Sequence, residues 1–150
     1  MIYIYNQIPN TIDKKFIDFP YDKLETILAI ENGFKEYMLN AVKEVEQCNI
    51  DDNGNLISKF TNTPLSISKM SDGCKTIIYI AYKVDKNQSS NELINITECG
   101  PNAIKYILEN FKNCDLYLFL DHWQIPKNID IKFKFNDVEY VNTNDLMNVD

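Results

Sequence analysis

Two short apolar runs with a helical pattern between them constrain the fold of this chain more than any other feature. Leu93–Thr97 and Leu116–Leu120 have the length and apolar content of buried strands. Between them, Gly100-Pro101 begins a segment whose apolar residues recur at helical spacing, and proline suits the first turn of a helix. A strand, a helix and a strand in this order predict a crossover between parallel strands.

Three further segments complete the predicted sheet. Ile2–Tyr5 is rich in residues that favour strands. Thr76–Tyr82 is an almost continuous run of β-branched and aromatic residues, which predicts a central strand buried on both faces. The loop from this run to Leu93–Thr97 is short, so the two strands are expected to be antiparallel. The last segment, Ile129–Phe135 with Val138–Val141, predicts a hairpin closed by Asn136-Asp137.

These elements predict an α/β or α+β fold in a single domain spanning residues 1–150. The sheet is expected to be mixed and mostly antiparallel, with one βαβ crossover and with helices packed on it. Apolar residues at helical spacing also predict two helices before the sheet, around Leu24–Ile30 and Phe34–Gln47. The polar Asp51–Asn55 segment resembles half of a calcium loop, but Asn62 stands where the bidentate acid is needed, so a solvated turn is expected.

Composition limits the classes of protein that the chain can belong to. No apolar stretch approaches the roughly 18–20 residues that a membrane span needs. Met1–Tyr5 has no basic region before it, which indicates a strand and not a signal peptide, so a cytoplasmic location is expected. The four cysteines form no CxxC pair and match no zinc-finger spacing. Reduced thiols are therefore expected, with no disulfide framework, no metal and no cofactor.

The charged residues indicate a protein partner. The net charge is −7, and all 15 basic residues are lysines. Arginine makes the bidentate contacts that nucleic-acid readers use, and a negative protein is repelled by phosphate, so direct nucleic-acid binding is not expected. Negative potential steers association with basic surfaces, which favours a basic protein partner. The alternative is that the charge only keeps a small domain in solution.

The predicted topology gathers the reactive side chains at one edge of the sheet. Cys99 and Asp121-His122 follow the two strands of the crossover, and the carboxyl ends of parallel strands are where open α/β sheets bind ligands. A thiol next to a histidine that an aspartate orients has the parts of a covalent nucleophile. This edge is also expected to hold a binding set of Asp72, Gly73, Lys75, Asn102 and Trp123.

Each of these residues also has a purely structural interpretation. Cysteine is among the most buried residue types, so Cys99 can be a core residue. Gly100-Pro101 can be a simple strand-to-helix turn. His122-Trp123 can be a packed aromatic pair, or Trp123 can anchor an interface.

A resemblance to a known family rests on three short motifs that are followed by a strand and His122. The motifs are Leu65-Ser66, Gly73-Cys74-Lys75-Thr76 and Cys99-Gly100-Pro101-Asn102. The segment from Leu65 to His122 resembles an uncharacterised bacterial family of the DUF4869 type, with a longer gap between Ser66 and Gly73. The resemblance implies a small cytoplasmic domain of bacterial or phage origin, and it implies no activity.

Two functions follow as expectations. The first is an acidic, non-enzymatic interaction protein that binds and inhibits a basic partner, such as a toxin or a nucleic-acid-directed defence effector. Its acidic surface would draw on Asp51, Asp52, Glu92, Asp137, Glu139, Asp145 and Asp150. The alternative is a small hydrolase or transferase that uses Cys99 and His122, with Asp121 orienting the imidazole.

Overall fold

The computed structural model describes residues 1–18, 48–50, 56–59, 61–63 and 72–147. The strands among these residues are β1 (Ile2–Tyr5), β2 (Lys15–Asp18), β3 (Cys48–Ile50), β4 (Leu56–Ser58), β5 (Glu92–Asn95), β6 (Leu116–Phe119), β7 (Phe133–Phe135) and β8 (Val138–Tyr140). The helices are α1 (Asp72–Asp85), α2 (Pro101–Asn110) and α3 (Thr143–Met147), with a 3-10 helix at His122–Gln124.

A six-stranded mixed sheet in the order β2-β5-β6-β1-β7-β8 forms the centre of the molecule, and β3 pairs with β4 in a separate ribbon. The predicted α/β class and mixed sheet are confirmed. The expectation that the sheet is mostly antiparallel is wrong, because each pairing within it is parallel except that of β7 with β8. The reason is that β1 lies between β6 and β7, an arrangement of distant segments that no local pattern in the sequence indicates.

The predicted βαβ crossover is confirmed. β5 and β6 are parallel neighbours, with Ile94 opposite Leu118, and α2 connects them. Ala103, Ile104, Ile107 and Leu108 are the buried residues of α2, which is the apolar face that the helical spacing predicts. The crossover therefore places the residues after β5 and those after β6 at the same edge of the sheet.

The predicted central strand Thr76–Tyr82 is wrong, because this segment lies within the 14-residue helix α1. A run that is apolar on every side suits a buried helix as well as a buried strand, so periodicity cannot separate the two. The segment Thr76–Ala81 is buried throughout. Asp72 in the first turn and Lys83 in the last complement the helix dipole, and these end charges are the signal for a helix.

One face of the sheet carries the core. Ile2, Ile4, Leu116, Leu118 and Phe133 pack with the apolar residues of α1 and α2 in a single cluster. The opposite face is aromatic, because strand residues alternate between faces. There the Tyr3 and Tyr117 rings stack at 4.4 Å between centroids, and Phe16 meets Phe119 edge to face at 5.5 Å.

The closing hairpin is confirmed, with strands shorter than predicted. Phe135 pairs with Val138 across the two-residue turn Asn136-Asp137. Both turn residues have positive φ, 47° and 68°, as a type I′ turn requires. Asn136 donates its backbone N–H to the Ile4 carbonyl at 2.8 Å, which joins the turn to the end of β1.

Several predictions fall on residues outside the described ranges. These are the two helices before the sheet and the turn at Asp51–Asn55. Among the described residues, no helix is both long and apolar enough to cross a membrane.

Candidate interaction surface at the carboxyl ends of the strands

The carboxyl ends of β5, β6, β1 and β7 lie at one edge of the sheet, because these four strands are parallel. We call this edge the carboxyl edge. Cys99 follows β5, and the segment Asp121–Gln124 follows β6. The structure therefore brings these predicted site residues to neighbouring strand ends.

Cys99 is a core residue at this edge. Its residue surface is only 5% exposed, and it belongs to the apolar cluster under the sheet. Its backbone N–H donates to the Ile96 carbonyl at 3.0 Å, so it closes a turn between β5 and α2. A nucleophile has to be reached by its substrate, so this burial favours the structural interpretation of Cys99.

His122 and Asp121 make contacts that do not build a nucleophilic site with Cys99. The His122 ring packs edge to face on Phe135 of β7, with 5.7 Å between centroids. In the strand order, β7 lies on one side of β6 and the strand before Cys99 lies on the other. The Asp121 backbone N–H donates to Gln124 Oε1 at 2.9 Å. The enzyme alternative stays a prediction, and this arrangement gives it no support.

The predicted binding residues from α1 and α2 lie at helix starts. Asp72 is exposed, and its carbonyl accepts a hydrogen bond from Thr76 Oγ1 at 2.8 Å. Gly73 is buried so close to α2 that an added Cβ would lie 2.7 Å from Ala103 Cβ. Asn102 is exposed in the first turn of α2, whereas Lys75 is buried. Helix packing, not a strand, thus places Gly73 beside α2.

Gln124 is a buried polar residue that the sequence prediction missed. Its Nε2 lies 3.1 Å from the Cys99 carbonyl, 3.0 Å from that of Thr97 and 3.4 Å from that of Ile96. Its Oε1 accepts from Asp121, so one side chain joins the 3-10 helix to the loop after β5. The signal was in the sequence, since an aspartate followed three residues later by a glutamine has the spacing of a capping box.

Trp123 points away from this buried network. It is 78% exposed, the most exposed of the large hydrophobic side chains among the described residues. Its neighbours in the chain are anchored, because Gln124 is held by the loop after β5 and His122 packs on Phe135. The fold therefore presents an indole to solvent on a short turn that is fixed on both sides.

A pocket of about 180 Å³ lies at the carboxyl ends of β1 and β7. Tyr5 and the turn Asn136-Asp137 form its polar side, and Gln7, Ile8 and Pro9 from the loop after β1 complete it. Asn136 is fixed by a reciprocal amide pair, in which its Oδ1 accepts from the Asn6 backbone N–H at 3.3 Å and its Nδ2 donates to Asn6 Oδ1 at 2.8 Å. The wall that holds Asp137 is thus anchored to β1.

Asp137 supplies the single charged side chain among the residues that line this pocket. Tyr5 Oη donates to Asp137 Oδ1 at 2.8 Å. Burial, and then the hydrogen bond and negative charge of Asp137, raise the pKa of Tyr5 far above its usual range. The phenol therefore stays neutral and donating, and the pocket carries one negative charge.

The predicted acidic surface is only partly available. Glu92 is an internal group, because it accepts from Tyr79 Oη at 2.6 Å and pairs with Lys83 at 2.8 Å. Glu139 is exposed but pairs with Lys132 at 3.1 Å. Asp137 and Asp145 are exposed. The remaining predicted acids, Asp51, Asp52 and Asp150, lie outside the described residues.

Within the described part of the chain, no group of three or more histidine, cysteine or acidic side chains is placed to hold a metal ion. No family model, curated protein or solved structure matches the chain. The DUF4869-type resemblance therefore stays a prediction.

Proposed function

We propose that this chain is a non-enzymatic interaction protein of bacterial or phage origin that docks on a basic protein through the carboxyl edge and blocks it. A toxin or a nucleic-acid-directed defence effector is the kind of partner that this chemistry suits. The observation that carries the proposal is the exposed Trp123 on its anchored turn.

An exposed indole leaves a large apolar surface in water, which costs an isolated domain free energy. A partner that buried this surface would recover that free energy as binding energy. Tryptophan is enriched among the residues that dominate binding energy at protein interfaces. Its turn is already ordered by Gln124, so a partner would not have to order this backbone on binding. Both points support an interface centred on Trp123.

The hairpin at the same edge adds apolar and acidic groups. Val138 follows the hairpin turn and is exposed beside the exposed Asp137. Apolar side chains within a polar rim are the usual anatomy of an interface. The net charge of −7 favours a partner of opposite sign, because complementary charge raises the rate of encounter.

Affinity capture with matched baits tests the proposal. The wild-type chain, Trp123→Ala and Lys105→Ala are immobilised, and a lysate of the source cells is passed over each. Lys105 is exposed on α2 and serves as the control. We expect a basic protein that wild type and Lys105→Ala retain and that Trp123→Ala loses.

The purified partner then decides between the two functions. Its affinity should fall as salt is raised, and its own activity should fall when the chain is added. A partner that binds Trp123→Ala as tightly as wild type, or one that is acidic, would contradict the proposal. Turnover of a substrate that Cys99→Ser abolishes would favour the enzyme instead.

A further inference from the structure

We propose that the pocket between Tyr5 and Asp137 is a binding site for one lysine side chain of the partner. The inference rests on the proposed function and names the chemical group that the carboxyl edge recognises. The size of the pocket, its charge, the geometry of its carboxylate and the backbone that holds it support this assignment.

Size and charge select a single cationic side chain. At about 180 Å³ the pocket is smaller than the roughly 300–1,000 Å³ clefts that hold drug-sized ligands. One positive charge on the bound side chain would balance the single negative charge of the pocket. Ile8 and Pro9 offer apolar surface to the aliphatic part of a lysine side chain.

The carboxylate geometry favours lysine over arginine. Guanidinium binds best when both carboxylate oxygens accept hydrogen bonds in parallel. Tyr5 Oη takes one of the acceptor positions of Asp137 Oδ1, whereas Oδ2 has no hydrogen-bond partner among the described residues. The two oxygens are therefore unequal acceptors, which suits the compact ammonium group, a point charge, better than a parallel pair of hydrogen bonds.

The backbone of Asp137 is in a conformation that glycine adopts more readily than aspartate. Its φ is 68° at the second central position of a type I′ turn, where asparagine followed by glycine is the preferred pair. A residue other than glycine is less favourable in this conformation. The aspartate thus takes a position that glycine fits better, and its carboxylate faces the pocket wall that Tyr5 supplies.

Amide NMR titrations of the full chain test the inference with three matched probes. Nα-acetyl-lysine amide carries the ammonium, Nα-acetyl-norleucine amide has the stem without the charge, and Nα-acetyl-arginine amide carries guanidinium. We expect saturable shifts at Gln7, Asn136 and Asp137 with the lysine probe, weaker shifts with arginine and none with norleucine.

Three variants make the result specific. Asp137→Asn and Asp137→Gly both suit a positive φ, so the hairpin is expected to stay intact while the lysine-induced shifts are lost. Asp145→Asn removes one negative charge outside the pocket and should keep them. Shifts that persist in Asp137→Asn, or that norleucine also produces, would overturn the inference.

The two proposals fail separately. If the partner captured through Trp123 binds Asp137→Asn as tightly as wild type, the lysine site is wrong and the proposed function stands. If the probe titrates the pocket but no basic partner depends on Trp123, the proposed function fails, and with it the assignment of the lysine to a partner protein.

Discussion

The side-chain nitrogen of Gln124 lies 3.1 Å from the carbonyl oxygen of Cys99, and this contact joins the ends of two neighbouring parallel strands. The glutamine belongs to the 3-10 helix after β6, and the cysteine to the loop after β5. The two residues that sequence patterns mark as reactive, Cys99 and His122, thus belong to the two segments that this structural amide joins. This amide ties the turn that carries Trp123 to the loop after β5.

Replacing Gln124 should destabilise the fold. Gln124→Leu keeps the bulk but removes the amide, so the buried carbonyl of Cys99 and the half-buried carbonyl of Thr97 lose their donor. Each buried polar group left unsatisfied costs about 1–3 kcal/mol, and we expect a total loss of about 2–4 kcal/mol in the free energy of unfolding measured with urea. Asn102→Ala on the exposed start of α2 is the control. A loss below about 1 kcal/mol would contradict the structural role.

Replacing Trp123 should separate binding from stability. The exposed indole contributes little to folding, so Trp123→Ala should change the free energy of unfolding by no more than about 0.5 kcal/mol. Affinity for the partner should fall by about 2 kcal/mol or more, as at interface hot spots. Calorimetric titration measures the binding, and urea unfolding measures the stability. Equal losses in both would show that the indole is a structural group.

A methyl group at Gly73 should strain the contact between α1 and α2. Gly73→Ala would place a Cβ 2.7 Å from Ala103 Cβ, so the helices have to separate. We expect a loss of about 1–3 kcal/mol in stability, and partial recovery in Gly73→Ala with Ala103→Gly. Gly100→Ala is the matched control, because its Cβ would meet nothing within 4 Å. If both single variants lose the same stability, helix packing is not the cause.

Tyr79 should make the fold sensitive to alkaline pH. Burial, and then the hydrogen bond to Glu92, raise the pKa of Tyr79 well above its ordinary 10.0. Below pH 10 the phenol is protonated in both the folded and the unfolded protein, and its contribution to the free energy of unfolding is fully present. Above pH 10 the unfolded chain releases this proton while the folded chain retains it, so stability falls by up to about 1.4 kcal/mol per pH unit.

The variant Tyr79→Phe isolates this effect. At pH 7 it should be less stable than wild type by about 1.5–3 kcal/mol, because the hydrogen bond to the Glu92 carboxylate is lost. Above pH 10 the two proteins should converge, since only wild type carries the phenol at residue 79. Urea unfolding at pH 7, 9.5 and 10.5 measures the difference. A difference that stays constant across this range would refute the assignment.

Cys99 should react slowly with alkylating reagents in the folded protein. A variant that retains Cys99 alone, with Cys48, Cys74 and Cys114 replaced by serine, reports its thiol directly. At 5% exposure we expect modification to follow unfolding, so the rate should rise sharply in urea. Fast modification of the folded variant below the usual thiol pKa of about 8.5 would reveal an activated thiolate and favour the enzyme alternative.

Local patterns determined the elements around the crossover. Pro101 after Gly100 begins α2, and the spacing of the apolar residues that follow predicts which face of the helix is buried. The short apolar run that becomes β6 is too brief for a helix, and Asn136-Asp137 suits a tight turn. These inferences hold because each rests on a constraint carried by a few adjacent residues.

Tertiary structure decided what adjacent residues cannot specify. The run Thr76–Tyr82 has strand propensity, yet it lies in a helix that packs against α2 and is buried over Thr76–Ala81, so tertiary packing overrides the local propensity. The insertion of β1 between β6 and β7 makes the sheet mostly parallel and brings Tyr5 to Asp137, which is 132 residues further along the chain. The sequence by itself determined which segments could form the carboxyl edge. Packing between segments distant in the chain decided which side chains share a pocket there. It also left Trp123 exposed to solvent and buried Cys99.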